Sequence, residues 1–89
     1  MRVIGVKILP TTKIPEDAAN RMQDLTRGYQ ASIQIRVHRQ FLDVTSETDL
    51  AQLANYPGEQ LEIMADGSHD EQKLLSVVHD ELIGYKACY

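Results

Sequence analysis

The sequence predicts an α+β domain with the element order βαββαβα. Three observations lead there. Segments 32–37, 40–44 and 60–65 alternate polar and apolar residues, as strands with one wet face do. Apolar residues recur at helical spacing after Pro15, Ser46 and Ser68. Pro10, Pro15, Gly28, Pro57-Gly58 and Gly67 fall between those segments, where the chain must turn.

Val3-Ile4-Gly5-Val6-Lys7-Ile8 is rich in β-branched residues and reads as the first strand, broken by Pro10-Thr11-Thr12. Pro15-Glu16-Asp17 then opens a helix. Proline suits the first helical position, where its missing N–H would be unpaired anyway. Acids there complement the positive end of the helix dipole. Ala18, Ala19, Met22 and Leu25 form the expected buried face, and Gly28 a left-handed stop. Ser32–Val37 is the second strand. His38-Arg39 is a two-residue turn without the glycine such hairpins prefer. Gln40–Val44 returns as the third strand, with Leu42 and Val44 inward and Phe41 on the opposite face. Ser46-Glu47-Thr48-Asp49 resembles a capping box, with Leu50, Leu53 and Ala54 continuing a short helix that Tyr56-Pro57-Gly58 ends. Leu61, Ile63 and Ala65 point inward from the fourth strand. After Asp66-Gly67, Ser68-His69-Asp70-Glu71 is a second capping box. Leu74, Leu75, Val77, Val78 and Leu82 make the stripe of the last helix. Two folds satisfy this order: a ferredoxin-like core with an added helix, and an open-faced β-sandwich. Alternation is compatible with both.

The chain has 89 residues, enough for one domain over 1–89. No run of 18 apolar residues occurs, so no spanning helix is expected, and the early charges do not read as a signal peptide. One cysteine, Cys88, leaves no internal disulfide and no cysteine-based zinc site. The net charge of −4 argues against a nucleic-acid partner. That charge is unevenly spread: residues 1–42 carry +4 and residues 43–89 carry −8. Because the charges are interspersed with apolar positions, the expectation is two sets of elements that pair across one sheet.

Tyr29 before strand two, Ser46 opening a helix, Leu53, Gly58 before strand four, Gly67 before the last helix, Leu74 and Val77 keep one unbroken spacing. In this the chain resembles HPr, the small histidine-containing phosphocarrier of the bacterial sugar phosphotransferase system, without a gap over about residues 3–82. The resemblance implies an open-faced sandwich: a four-stranded antiparallel sheet in the order 1-4-2-3, covered on one face by three helices. It also implies a bacterial, cytoplasmic protein with protein partners.

The family's function depends on a motif of the form Gly-(Leu/Ile)-His-Ala-Arg-Pro. The matching stretch here is Lys13-Ile14-Pro15-Glu16-Asp17-Ala18. Pro15 stands for the phosphoryl-accepting histidine and Asp17 for the arginine. A helix N-terminus holds phosphate through free N–H groups and its dipole. Pro15 removes a donor, and Glu16 and Asp17 put negative charge where phosphate would sit. The expectation is a degenerate phosphocarrier site that repels phosphate, and hence a non-catalytic regulatory or protein-binding module rather than an enzyme. The catabolite-repression homologue of HPr likewise lacks the histidine.

The resemblance also implies a regulatory serine in a Lys-Ser-Ile-Met-Gly-X-Met context. Here Thr45-Ser46-Glu47-Thr48-Asp49-Leu50-Ala51 keeps Ser46 but not its apolar neighbours. A cap is the expected role of Ser46, and Glu47 and Asp49 already carry negative charge there. Glu47, Leu50 and Phe41 are the candidate partner surface. Two other readings stand beside this one: a phosphotransfer protein using a displaced histidine, and a ferredoxin-like small-molecule sensor.

His38, His69 and His79 share no metal spacing and are expected on solvated surface, so neither metal nor cofactor is expected. Of the three, His69 is best placed to hold an anion, at a helix N-terminus. Cys88 is expected to be an exposed thiol on a mobile end, able to join two chains on oxidation. Tyr85, Cys88 and Tyr89 form a tail expected to fold back on the sheet or touch a partner.

Overall fold

The computed structural model describes residues 1–10 and 12–88; Thr11 and Tyr89 lie outside the described residues. Its elements are β1 (Arg2–Lys7), α1 (Ala18–Thr26), β2 (Ser32–Val37), β3 (Gln40–Leu42), α2 (Glu47–Ala51, prolonged by a 3-10 turn over Gln52–Asn55), β4 (Gln60–Asp66) and α3 (Glu71–Gly84). The four strands form one antiparallel sheet in the order β1-β4-β2-β3. This is the open-faced sandwich. β4 lies between β1 and β2 and not at an edge, which excludes the ferredoxin-like arrangement.

Side chains alternate across a strand, so register fixes the buried set. Ile63 of β4 stands opposite Ile4 of β1 and Ile35 of β2, and Leu61 opposite Val6 and Val37. Leu61, Ile63, Ala65, Ile35 and Val37 are buried and face the helices. Met22 of α1, Leu50 and Leu53 of the α2 region, and Leu74, Val78 and Leu82 of α3 close the core from above. Each such side chain stabilises the fold by roughly 1.5–3 kcal/mol through burial. The opposite parity sets Gly5, Glu62, Arg36 and Phe41 in one row across the open face.

The charge asymmetry has its explanation here. β4, from the acidic half, is sandwiched between two strands of the basic half. Glu62 pairs with Arg36, the Met1 ammonium with Asp66 and Glu71, and Arg2 lies at 3.9 Å from Glu71.

Several local expectations are corrected. α1 starts at Ala18, not at Pro15. Pro15 accepts the Ala18 N–H at 3.1 Å in a turn that precedes the helix, so Glu16 and Asp17 lie outside its first turn. Leu25 is exposed, because α1 meets its neighbours through Ala18, Ala19 and Met22. Gly28 has no positive φ; the chain leaves α1 through Arg27 in right-handed geometry. Ala54 is exposed and Val77 half-buried. The box expected at Ser68 does not form. Asp70 turns its carboxylate away from α3 to accept the N–H groups of Gln30 (3.0 Å) and Ala31 (3.1 Å), clamping the entry to β2 to the start of α3.

Four turns need left-handed backbone. Gly58 (φ +80) and Gly67 (φ +104) supply it at either end of β4. The β2–β3 turn obtains it from His38 (φ 51) and Arg39 (φ 67), the pair of positive φ values of a type I′ hairpin built without glycine. The end of α3 obtains it from Lys86 (φ 56) and not from Gly84. There the Lys86 N–H donates to Ile83 and the Ala87 N–H to Leu82, which is the Schellman pattern.

That stop reverses the chain so that Cys88 bridges Ile8 and the Leu9 N–H donates to Ala87 at 2.9 Å. Tyr85, Ala87 and Cys88 are buried. Cys88 is therefore neither exposed nor on a loose end, contrary to expectation, because the turn at Lys86 brings it alongside Ile8, just past the end of β1. Burial pushes its thiol up to about 11. The expected fold-back of the tail is observed through Cys88; Tyr89 lies outside the described residues.

Candidate functional site

The stretch Lys13–Ala18 covers the turn ahead of α1 and the helix's first residue. Thr12 hydrogen-bonds Leu9 and Ala87, which ties the approach to this turn to the C-terminal segment. Pro15 is half-buried, while Glu16 and Asp17 are exposed. The Asp17 side chain makes no cap; its carbonyl accepts the Arg21 N–H at 2.9 Å. Arg21, the cation one turn on, lies with its guanidinium 5.8 Å from the centre of the Tyr85 ring. Tyr85 is pushed up to about 12, first by burial and then by the Glu81 carboxylate, against the opposing pull of Arg21. The Tyr85 hydroxyl and Glu81 Oε2 are closed off from solvent, and neither makes a hydrogen bond within normal geometry. Asp17 and Glu81 thus both act on Tyr85 at this corner, with Arg21 already engaged over the aromatic face.

Ser46 is half-buried and stands at the N-cap of α2 with extended backbone (φ −103, ψ 122). Its Oγ accepts the Asp49 N–H at 3.4 Å. The reciprocal half of the expected box is displaced. Asp49 reaches past Ser46 to the Asp43 N–H at 2.9 Å, and the Ser46 N–H donates to the Asp43 carbonyl at 3.1 Å. Asp43 also accepts from the N–H and hydroxyl of Thr45. The cap is part of a closed local network.

The three residues expected to form a partner surface do not share one. Glu47 and Phe41 are exposed, but Leu50 is completely buried, because α2 turns this fourth residue inward against the core. Leu50 is withdrawn as a surface residue. Phe41 adjoins the first turn of α2 through a depression of about 300 Å³ lined also by Asp43 and Asp49.

The histidines separate. His69 is exposed, in the turn before α3, with its Nδ1 at 3.3 Å from the Ser68 hydroxyl. His79 is not solvated as expected: its Nε2 is closed off from solvent with no hydrogen-bond partner. His38 sits on the hairpin turn. Its Nδ1 lies 3.0 Å from Glu59, and its ring stacks on Tyr56 at 5.4 Å between centres. Beside it is a cavity of about 500 Å³ lined by Arg36, His38, Arg39, Phe41, Glu59 and Glu62, among others. Residue spacing did not single out this grouping. Its one sequence signal is a His-Arg pair where a hairpin favours Asn-Gly. Among the described residues, no group of three His, Cys, Asp or Glu stands where it could hold a metal ion.

No protein-family model matches the chain, and no curated protein sequence does. Solved structures do. The histidine-containing phosphocarrier protein of Mycoplasma is similar with a TM-score of 0.76 at 15% identity, over 98% of each chain. HPr-C-His from Thermoanaerobacter tengcongensis is similar with a TM-score of 0.70 at 15% identity, over 97% of this chain and 96% of that one. The fold is therefore HPr-like.

Proposed function

We propose that residues 1–89 form a single HPr-like domain of the bacterial cytoplasm that regulates or binds other proteins and carries no phosphoryl group on histidine. It performs no catalysis. Its partners are proteins and not nucleic acid or membrane, a reading supported by the net charge of −4 and by the fold's likeness to phosphocarriers. The single observation that carries the proposal is the turn ahead of α1. Pro15 stands where the resemblance puts the phosphoryl acceptor, without a donor N–H, and Glu16 and Asp17 bring negative charge to the helix end that would hold the anion. In this reading Ser46 is a helix cap and not a switch.

The test is incubation with the general phosphotransferase enzyme and labelled phosphoenolpyruvate. No acid-labile label should appear. Stoichiometric label on His38, His69 or His79 would establish a displaced phosphoryl acceptor and replace this proposal.

A further inference from the structure

We infer that the corner of the open sheet face at the β2–β3 turn is a docking surface for an acidic segment of a partner protein. A carboxylate of that segment would meet Arg39, and an apolar side chain would cover Phe41. The inference rests on the protein-binding role proposed above and assigns it a surface away from α1.

The cavity of about 500 Å³ beside the turn carries three basic side chains, Arg36, His38 and Arg39, against two acidic ones, Glu59 and Glu62. These charges are not equivalent. Glu62 is taken by Arg36 through Nε at 2.9 Å and through Nη2. Glu59 is taken by His38 through Nδ1. Arg39 is exposed and has no ion pair among the described residues. The corner therefore presents an uncompensated cation on a chain whose net charge is −4. With Nδ1–H donating to the Glu59 carboxylate, the ring's Nε2 is left as an acceptor, open to an N–H or O–H of the partner and not to its carboxylate.

The apolar part of the surface is equally specific. Phe41 is 59% exposed on the edge strand β3, and the Arg36 guanidinium lies 6.0 Å from its ring centre. Arg36 is thus held by Glu62 on one side and Phe41 on the other, so Phe41 and its neighbours are ordered before a partner arrives. Such preorganisation lowers the entropy lost on binding.

The backbone supplies an independent reason. Two consecutive non-glycine residues with positive φ are unfavourable, and Asn-Gly would make the same turn with less strain. Strain kept at adjacent residues whose side chains converge on a cavity is the mark of a working surface. Because the cavity is open to solvent, it suits protruding side chains of a protein better than an enclosed small molecule.

The experiment is a titration of the isotope-labelled protein with short peptides, followed by amide chemical shifts. The peptides alternate Glu with Leu, Gln with Leu, and Lys with Leu. Saturable shifts are expected with the Glu–Leu peptide, confined to Arg36–Phe41 and Glu59–Glu62, and weakened by salt. The Gln–Leu and Lys–Leu peptides should produce none. The variant His38→Asn/Arg39→Gly keeps the turn in its favoured residues and should retain the fold while binding about tenfold more weakly, as loss of a charged contact implies. Phe41→Ser should also weaken binding. Unchanged affinity in the double variant, or no saturable shift with any peptide, overturns the inference. Inorganic phosphate producing the same shifts at lower concentration than the peptide also overturns it, making the corner a small-anion site. Shifts mapping to α1 or α2 overturn the surface but leave protein binding standing. Phosphoryl label on His69 or His79, by contrast, strikes the proposed function and not this map, whereas label on His38 overturns both.

Discussion

Ser46 contributes to stability through one side-chain bond, from the Asp49 N–H at 3.4 Å, inside a network closed by Asp43 and Thr45. Ser46→Ala should lower stability by about 0.5–1 kcal/mol, the lower half of the range for a lost cap, because the bond is long. Ser46→Asp, also a good cap, should change it little. Urea denaturation of the three proteins checks both. Cys88 and Tyr85 make a second residue-scale prediction, in alkali. Both are held above their ordinary values by burial, Cys88 at about 11 from 9.0 and Tyr85 at about 12 from 10.0. The unfolded chain therefore gives up these protons first, and stability must fall as pH rises. Their contribution is whole below about pH 9 and disappears as pH climbs through 11 for Cys88 and 12 for Tyr85. Denaturant midpoints measured from pH 8 upward should show this decline, and Cys88→Ala should flatten its first part. The native thiol should also resist iodoacetamide until the protein is unfolded.

At the scale of elements, strands were more legible than helix ends. Ser32–Val37 and the inward set Leu61, Ile63 and Ala65 follow directly from alternation, because a period of two admits one buried face. Helix starts did not follow. Pro15-Glu16-Asp17 has the composition of a first turn, yet its backbone closes a separate turn, and Asp70 prefers the N–H groups of Gln30 and Ala31 to a cap. Those partners lie 40 and 39 positions away, beyond any local motif. The left-handed stop expected at Gly28 did not follow either, and the one that ends α3 falls on Lys86, where Ala87 and Cys88 are held by Leu9 and Ile8. The hairpin turn was placed correctly and its strain can be measured. His38→Asn/Arg39→Gly should raise stability by about 1 kcal/mol, relief of two unfavourable φ values less the loss of the His38–Glu59 contact. A thermal melt that does not rise would show that the turn is unstrained.

For the molecule as a whole, β4 is the element on which the sheet depends, since it alone pairs with two long strands. Ile63 at its centre is fully buried between Ile4 and Ile35. Ile63→Ala should cost about 2–5 kcal/mol, a large share of the 5–15 kcal/mol typical of a domain. Its denaturant midpoint should fall accordingly, whereas Leu25→Ala, on an exposed site, should fall far less. The sequence by itself determined the number, type and order of the elements, the inward faces of β2 and β4, and the absence of histidine from the segment Lys13–Ala18. These are properties of single segments, written by the periodicity of the backbone and by residue identity. Only the tertiary structure decided between two sheet orders, buried Leu50 while exposing Leu25, paired Cys88 with Ile8, and brought Arg36, Arg39, Phe41 and Glu59 around one cavity. Each of those outcomes depends on contacts between segments far apart in the chain. Alternation specifies which face of a strand is buried but not which strand lies beside it.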